Sequence, residues 1–229
     1  MKIHFLGTGA ADWDIHHPQK SLDYRRFSSV LIDGTLLIDP GPCVFEFAET
    51  YGYPELLKNV RYVINTHTHN DHFCPETLGR LQQNGAEFIP FTAMETKQVG
   101  PYAITALPAN HGTVVGGVHF SIESQNGKSF YYGMDGCWVL YPEFRYLHAH
   151  FYDLMVFDGT FGDNGPYDLI FEHNDLRMAE ELKRAFERNT KRFMLSHFSR
   201  VHHTSHAALV ERMRDVGIEI AYDDLQIEL

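Results

Sequence analysis

Cysteine is scarce in this chain. Three thiols, Cys43, Cys74 and Cys137, stand far apart among 229 residues. Their number is odd and no CxxC pair occurs, which argues against a disulfide framework and a cysteine zinc knuckle. Long apolar runs are missing too. None approaches the roughly 18 residues needed to span a bilayer. The opening Met1-Lys2-Ile3-His4-Phe5-Leu6-Gly7 is too short in its apolar part for a secretory signal, so a reducing, cytoplasmic setting is the expectation. Basic residues are outnumbered: 19 Lys and Arg against 30 Asp and Glu, a net charge of −11 with histidine neutral. That deficit weighs against nucleic acid as a partner, because its binding rests on neutralising phosphates. Repeats, low-complexity tracts and Ser/Gly/Pro-rich linkers are absent, and a single domain over residues 1–229 is expected. What the chain has in excess is histidine, 15 in all, and neutral imidazole is the commonest metal ligand.

Strand and helix patterns alternate along the sequence. Residues 2–6 read as a strand ended by Gly7-Thr8-Gly9-Ala10-Ala11. Apolar runs at 28–32 and 36–38 flank Asp33-Gly34, a hairpin signal. Asp39-Pro40-Gly41-Pro42 makes a hard turn, and a helix over 44–51 is stopped by Gly52 and Pro54. Residues 60–65 form a buried strand, 66–73 a polar loop, and Pro75 opens a helix running to about residue 84. Strands are expected at 87–90, 102–108, 114–123, 129–133 and 154–158. After them come a helix at 174–188, a strand at 192–195, a helix at 205–216, and strands at 218–221 and 225–229. This pattern predicts two sheets with helices outside them. Its histidine-bearing segments fall just after strands, where ligand sites of α/β proteins gather.

The dominant motif is Thr66-His67-Thr68-His69-Asn70-Asp71-His72, directly after an apolar strand. Neither helical periodicity nor core burial produces four donors in six residues. Imidazoles with a carboxylate suit Zn, Mn, Fe or Co. One ion takes about four ligands, fewer if a position stays open for catalysis. His67, His69, Asp71 and His72 could divide between two ions if further donors come from elsewhere. Three candidates each end an apolar run beside a small residue: His111, Asp135 and His197. A donor shared by two cations is best an anion, which favours Asp135. Two ions about 3.5–4 Å apart lower the pKa of a shared water and clamp the attacking and leaving oxygens.

In this order the motifs resemble the metallo-β-lactamase superfamily. The opening Leu6-Gly7-Thr8-Gly9-Ala10-Ala11 and Asp39-Pro40-Gly41 are similar to the branch that holds tRNA 3′-processing endonucleases and PhnP-type phosphodiesterases. Glu172-His173-Asn174-Asp175-Leu176, with His173 24 residues before His197, resembles the PhnP-type subgroup. The resemblance implies an α/β fold, a four-layer αβ/βα sandwich with a dinuclear centre at one edge. It implies His67, His69 and His111 on one metal, Asp71, His72 and His197 on the other, and Asp135 between them. His173 would be the acid beside the ions and Asp71 part of the catalytic set. The implied activity is metal-dependent hydrolysis of a small phosphodiester or cyclic phosphate by a hydroxide bridging two divalent ions, Zn, Mn or Fe. The partner would be a small anionic molecule; a homodimer stays open. Rival readings are a lactone-, thioester- or β-lactam-type hydrolase and a metal sensor without catalysis. The chain departs from its relatives in lacking both the cysteine-based structural zinc site of PhnP-type proteins and the long arm of the tRNA-processing enzymes.

Other residues carry weaker signals. His16, His17, His202, His203 and His206 either line the pocket, add a third metal, or are solvated. Arg25, Arg26 and Arg200 either meet an anionic substrate or lie exposed on the surface. Trp13, Phe73, Trp138, Phe161 and Phe198 suit pocket wall or core. Asp39 is expected to hold the metal loop rather than to ligate.

Overall fold

The computed structural model describes residues 1–163, 165, 166, 169 and 171–229. In chain order the elements are β1 (Lys2–Gly7), β2 (Ser29–Ile32), β3 (Leu36–Ile38), α1 (Val44–Tyr51), β4 (Tyr62–Ile64), α2 (Pro75–Gln83), β5 (Glu87–Phe88), β6 (Thr96–Val99), β7 (Tyr102–Pro108), β8 (Val118–Ser124) and β9 (Ser129–Gly133). They continue with α3 (Tyr141–His148), β10 (Leu154–Asp158), α4 (Leu176–Phe186), β11 (Phe193–Ser196), α5 (His206–Arg214), β12 (Glu219–Ile220) and β13 (Gln226–Glu228). One sheet runs β13-β1-β2-β3-β4-β5, the other β12-β11-β10-β9-β8-β7-β6.

Alternation along the strands sorts the core. Phe5, Ile32, Ile38 and Ile64 of the first sheet meet Ile104, Phe120, Tyr132 and Val156 of the second in one buried cluster between them. The outward residues Leu37 and Val63 pack under Phe47 and Leu81 of α1 and α2. On the far side Phe157 and Leu195 pack under Leu182, Phe186 and Met213 of α4 and α5. The layer order is therefore helix, sheet, sheet, helix, and the expected αβ/βα sandwich is borne out. Helix ends follow local chemistry. Gly52 ends α1 with left-handed backbone, and Asp175 and Ser205 cap α4 and α5 by accepting from Met178 N and Ala208 N. Among the described residues no helix is long and apolar enough to cross a membrane.

Three details differ from the sequence reading. Helix α3 arises where aromatic residues mask the helical pattern; Pro142 suits its first turn. Strand β6 is a short polar edge strand, so it shows no apolar alternation. The run from Val114 is a turn, with Val115 fully exposed and Gly116 left-handed, and β8 begins only at Val118.

Parallel pairing positions the site. β9, β10 and β11 run parallel, so the residues after them emerge side by side. β3 and β4 are parallel as well, which brings Asp39 next to the loop that begins at Thr66.

Candidate metal centre

Seven side chains from four segments converge at this edge. Asp135 sits at the middle. Its Oδ2 lies 3.1 Å from His67 Nε2, 3.4 Å from His72 Nε2, 3.6 Å from His111 Nε2, 3.8 Å from His197 Nε2 and 4.0 Å from His69 Nδ1. Asp71 Oδ2 lies 3.4 Å from His72 Nε2 and 3.6 Å from His197 Nε2. His111 Nε2 and His69 Nδ1 are 3.3 Å apart, and His72 Nε2 and His197 Nε2 are 3.2 Å apart. Donors bonded to one zinc ion at about 2.0–2.1 Å sit roughly 3.3–3.4 Å from one another in a tetrahedron, so these spacings fit shared cations. Three donor groups emerge, His67, His69, His111 and Asp135, then Asp71, His72, Asp135 and His197, and also Asp135, Asp158, His173 and His197, with all donor atoms of each within 4.8 Å. His67 Nε2 and Asp135 Oδ1 are buried without a hydrogen-bond partner of acceptable geometry, close as their neighbours are. Buried polar atoms are normally satisfied, and a cation held here would satisfy these.

The other face of each buried imidazole is held by the protein. His72 Nδ1 donates to Asp39 Oδ2 at 2.9 Å, and His197 Nδ1 to Thr160 Oγ1 at 2.8 Å. His111 Nδ1 donates to the Glu172 carbonyl at 3.1 Å, with Glu172 Oε2 also at 3.1 Å. Thr66 Oγ1, which donates to Asp39 Oδ1, accepts from His67 Nδ1 at 3.0 Å. Each such bond fixes the tautomer and turns the Nε2 lone pair inward. His69, whose side chain is 41% exposed, is the open side of the site. Asp39, Asp135 and His197 all adopt left-handed backbone, with φ of 60°, 62° and 63°, which aims side chains that an extended chain would direct elsewhere.

Electrostatics follow from burial and pairing. Burial resists charge on His72, but Asp71 and Asp39 outweigh it and raise its pKa well above 6.5. The same contest, with Asp135 and Asp158 as the anions, lifts His197 to about 9. Burial and the neighbouring His72 charge take His67 down to about 4, and burial lowers His111. Asp71 and Asp135 stay ionised despite burial because of the histidines around them. Without cations, protons on imidazole balance these carboxylates.

His173 lies beside this set. Its Nδ1 is 3.0 Å from Asp135 Oδ1 and 3.1 Å from Asp158 Oδ2, and its side chain is 19% exposed. Burial opposes its charge, yet Asp158 and Asp135 raise its pKa to about 10. Asp158 is fully buried, approaches His197 Nδ1 at 3.3 Å, and accepts from Thr160 Oγ1 and Asn174 N. The sequence reading placed Asp158 at a strand end without a role; Glu172 and Thr160 were likewise missed as orienters. Strand-end position, the signal used for Asp135, also applies to Asp158. A pocket of about 240 Å³ opens over the centre, lined in part by Ala10, Ala11, His69, Glu172 and His173.

The weaker candidates separate. Asp39 is an orienter, as expected. Arg26 is not exposed: it is fully buried and paired with Glu46 and Asp223. Arg25 is buried too, and only Arg200 is exposed. Among the described residues, His16, His17, His202, His203 and His206 join no donor group. His17 pairs with Asp14, His202 packs on Phe161, and His203 Nε2 donates to the Gly159 and Thr160 carbonyls. Phe161 and Phe198 are buried, Phe73 and Trp13 half-buried, and Trp138 is 43% exposed.

Known proteins are similar to this chain in part of its sequence and in its fold. A family model described as the metallo-beta-lactamase superfamily matches residues 27–74, from the start of β2 through the histidine loop. A Nanoarchaeum equitans protein named as a UPF0173 metal-dependent hydrolase is 29% identical over 147 residues, 59% of this chain and 61% of that protein. The match thus spans less than two thirds of that relative's length. The metallo-beta-lactamase fold protein YhfI from Bacillus subtilis superposes with a TM-score of 0.75 at 18% identity, over 100% of this chain and 99% of that one. A diphosphatase from the PhnP family gives 0.70 at 19% identity, over 100% and 97%. Identities this low carry the fold alone. By fold along its whole length, and by sequence across the segment that ends in the loop bearing His67, His69, Asp71 and His72, this chain is similar to proteins of the metallo-β-lactamase superfamily.

Proposed function

We propose that this protein is a metal-dependent hydrolase that cleaves a phosphodiester in a small anionic substrate at a centre of two divalent ions. The observation that supports it is the first two donor groups, joined at Asp135; His173, of the third group, has its Nδ1 facing Asp158 and Asp135 and is read as an acid rather than a ligand. His67, His69 and His111 would hold one ion and Asp71, His72 and His197 the other, with Asp135 common to both. Divalent ions there supply Lewis acidity and make water nucleophilic near neutral pH.

The rest of the work falls to side chains. His173 commits Nδ1 to a hydrogen bond with Asp158, with Asp135 close by, which leaves Nε2 for a leaving oxygen. Asp158 stabilises the imidazolium, so His173 stands charged as a general acid that protonates the departing alkoxide. Glu172 holds His111 and, through Thr113, ties the 111–113 loop to the segment carrying His173. Such ties keep the acid and the donors in one register, which is what transition-state positioning requires. The net charge of −11 favours a small substrate over a nucleic acid.

The test is hydrolysis of bis(p-nitrophenyl) phosphate by protein loaded with Mn or Zn, with occupancy measured by metal analysis. Turnover is expected; none at full occupancy overturns the reading, and turnover of a lactone or thioester alone would move it to acyl chemistry. His173→Ala should slow diesters with poor leaving groups more than those with good ones. Equal slowing removes the acid role.

A further inference from the structure

A second cavity, of about 350 Å³, lies beside the metal pocket. Two chain segments separate them. Ala10, Ala11 and His197 line the metal pocket, while Trp13, Asp14, Ser199 and Arg200, a few residues further on, line the cavity. The segments are stitched together. Ala10 N and Trp13 Nε1 both donate to the Phe198 carbonyl, and Asp12 accepts from Ser199 Oγ, Arg200 N and Val201 N. Two residues of extended chain span about 7 Å, within reach of a substrate that has a body beyond its scissile bond.

The chemistry of the cavity centres on Arg25, which is 3% exposed with its guanidinium 4.3 Å above the Phe198 ring. Nη1 donates to Thr8 Oγ1 and to the Ala221 carbonyl at 2.7 Å each. Nη2 lies 3.3 Å from Nδ1 of His206, itself a residue of the cavity wall. Asp223 and Asp23 act on this charge from a distance, but among the described residues no carboxylate forms an ion pair with it, unlike Arg26. The two acids of the cavity wall are engaged elsewhere, Asp14 by His17 and Asp23 by His206 N. A buried guanidinium without a counter-ion is costly, and an anion that enters offsets the cost through charge-assisted hydrogen bonds. Tyr24, Leu22 and Leu209 add apolar wall.

We propose that this cavity is a binding subsite in which Arg25 grips an anionic end group, a carboxylate or phosphate, carried on the non-reacting body of the substrate. It rests on the hydrolase reading only in taking that anion to be part of the substrate.

The test uses Trp13, since Trp138 is the chain's other tryptophan and Trp138→Phe leaves one reporter at the cavity. Benzoate and phenyl phosphate are titrated into the whole Trp138→Phe chain, in zinc and in chelator, with benzamide as the uncharged control. A saturable change in Trp13 emission with either anion is expected, and which anion acts tells carboxylate from phosphate. Adding Arg25→Gln should weaken it at least tenfold. Leu22→Phe, which fills the cavity and leaves the guanidinium in place, should do likewise and decides the matter if Arg25→Gln does not fold. An equal response to benzamide, or anion binding that both variants leave unchanged, overturns the proposal. No turnover enters this assay. An inert protein that binds benzoate refutes the hydrolase alone, and an active protein whose Trp13 stays silent refutes the subsite alone.

Discussion

Loading the centre should expel protons, and the way its imidazoles are held sets the number. At pH 7.5 and without ions, His72 and His197 are protonated, since acids around them raise the first well above 6.5 and the second to about 9. His67, at about 4, and His111, lowered by burial, are already neutral. Asp71 and Asp135 are already ionised. Coordination through Nε2 of His72 and His197 therefore displaces about two protons, and ionisation of a water at the ions would add up to one more. Each proton is worth 1.36 kcal/mol per pH unit, so the joint affinity should climb about 100-fold per unit between roughly pH 7 and 8.5 from these two groups. Calorimetric titration with Zn in buffers of different ionisation enthalpy reads the count directly. A value near zero, or affinity flat across that range, would refute the reasoning, because the carboxylates would then not be balanced by imidazolium.

Metal-free protein should lose stability as pH rises from 6.5 towards 10. His72, His173 and His197 titrate higher when folded, so their contribution is complete below 6.5 and disappears as pH passes their folded values. Asp71, Asp135 and Asp158 are depressed, so their contribution holds above 3.8 and fades as pH falls. Urea melts in chelator across pH 4–10 check both flanks; stability rising between 6.5 and 10 contradicts the assignment. Asp39→Ala strips the acceptor from Thr66 N, Thr66 Oγ1 and His72 Nδ1. It should cost about 2–4 kcal/mol in denaturant melts and about 10–100-fold in metal affinity by competition with a chelator. A Cβ on Gly41 would overlap the Asp71 carbonyl oxygen, so Gly41→Ala should displace the loop and reduce metal occupancy. Its control is Gly79→Ala in α2, where a Cβ meets nothing within 4 Å; that variant should gain about 0.5–1 kcal/mol in melting experiments and keep its metal.

The layered fold was legible because apolar periodicity reports directly which face of a strand or helix is covered, as in α4, whose Leu176, Ala179, Leu182 and Phe186 are buried. It failed where burial was partial. The edge strand β6 exposes most of its polar side chains, and α3 is short and aromatic. The histidine loop stood out because four donors are adjacent in sequence. Asp158 did not, although it shares the strand-end position of Asp135, because nothing local says what such a carboxylate faces; the parallel register of β10 and β11 puts it behind both His173 and His197. Arg26 misled for a related reason. Arginine is usually exposed, and its acid partners Glu46 and Asp223 are 20 and 197 residues away.

The left-handed backbone at Asp39, Asp135 and His197 sets the site and the fold at odds. A non-glycine residue in that conformation costs roughly 1–2 kcal/mol, less for Asp or Asn. Glycine at any of the three would relax the kink and silence the centre. At Asp39 that relief is smaller than the cost of about 2–4 kcal/mol for the three hydrogen bonds the side chain accepts, so the kinked backbone persists because the side chains at its tips are held, and a variant that frees them loses the ions and the tie together.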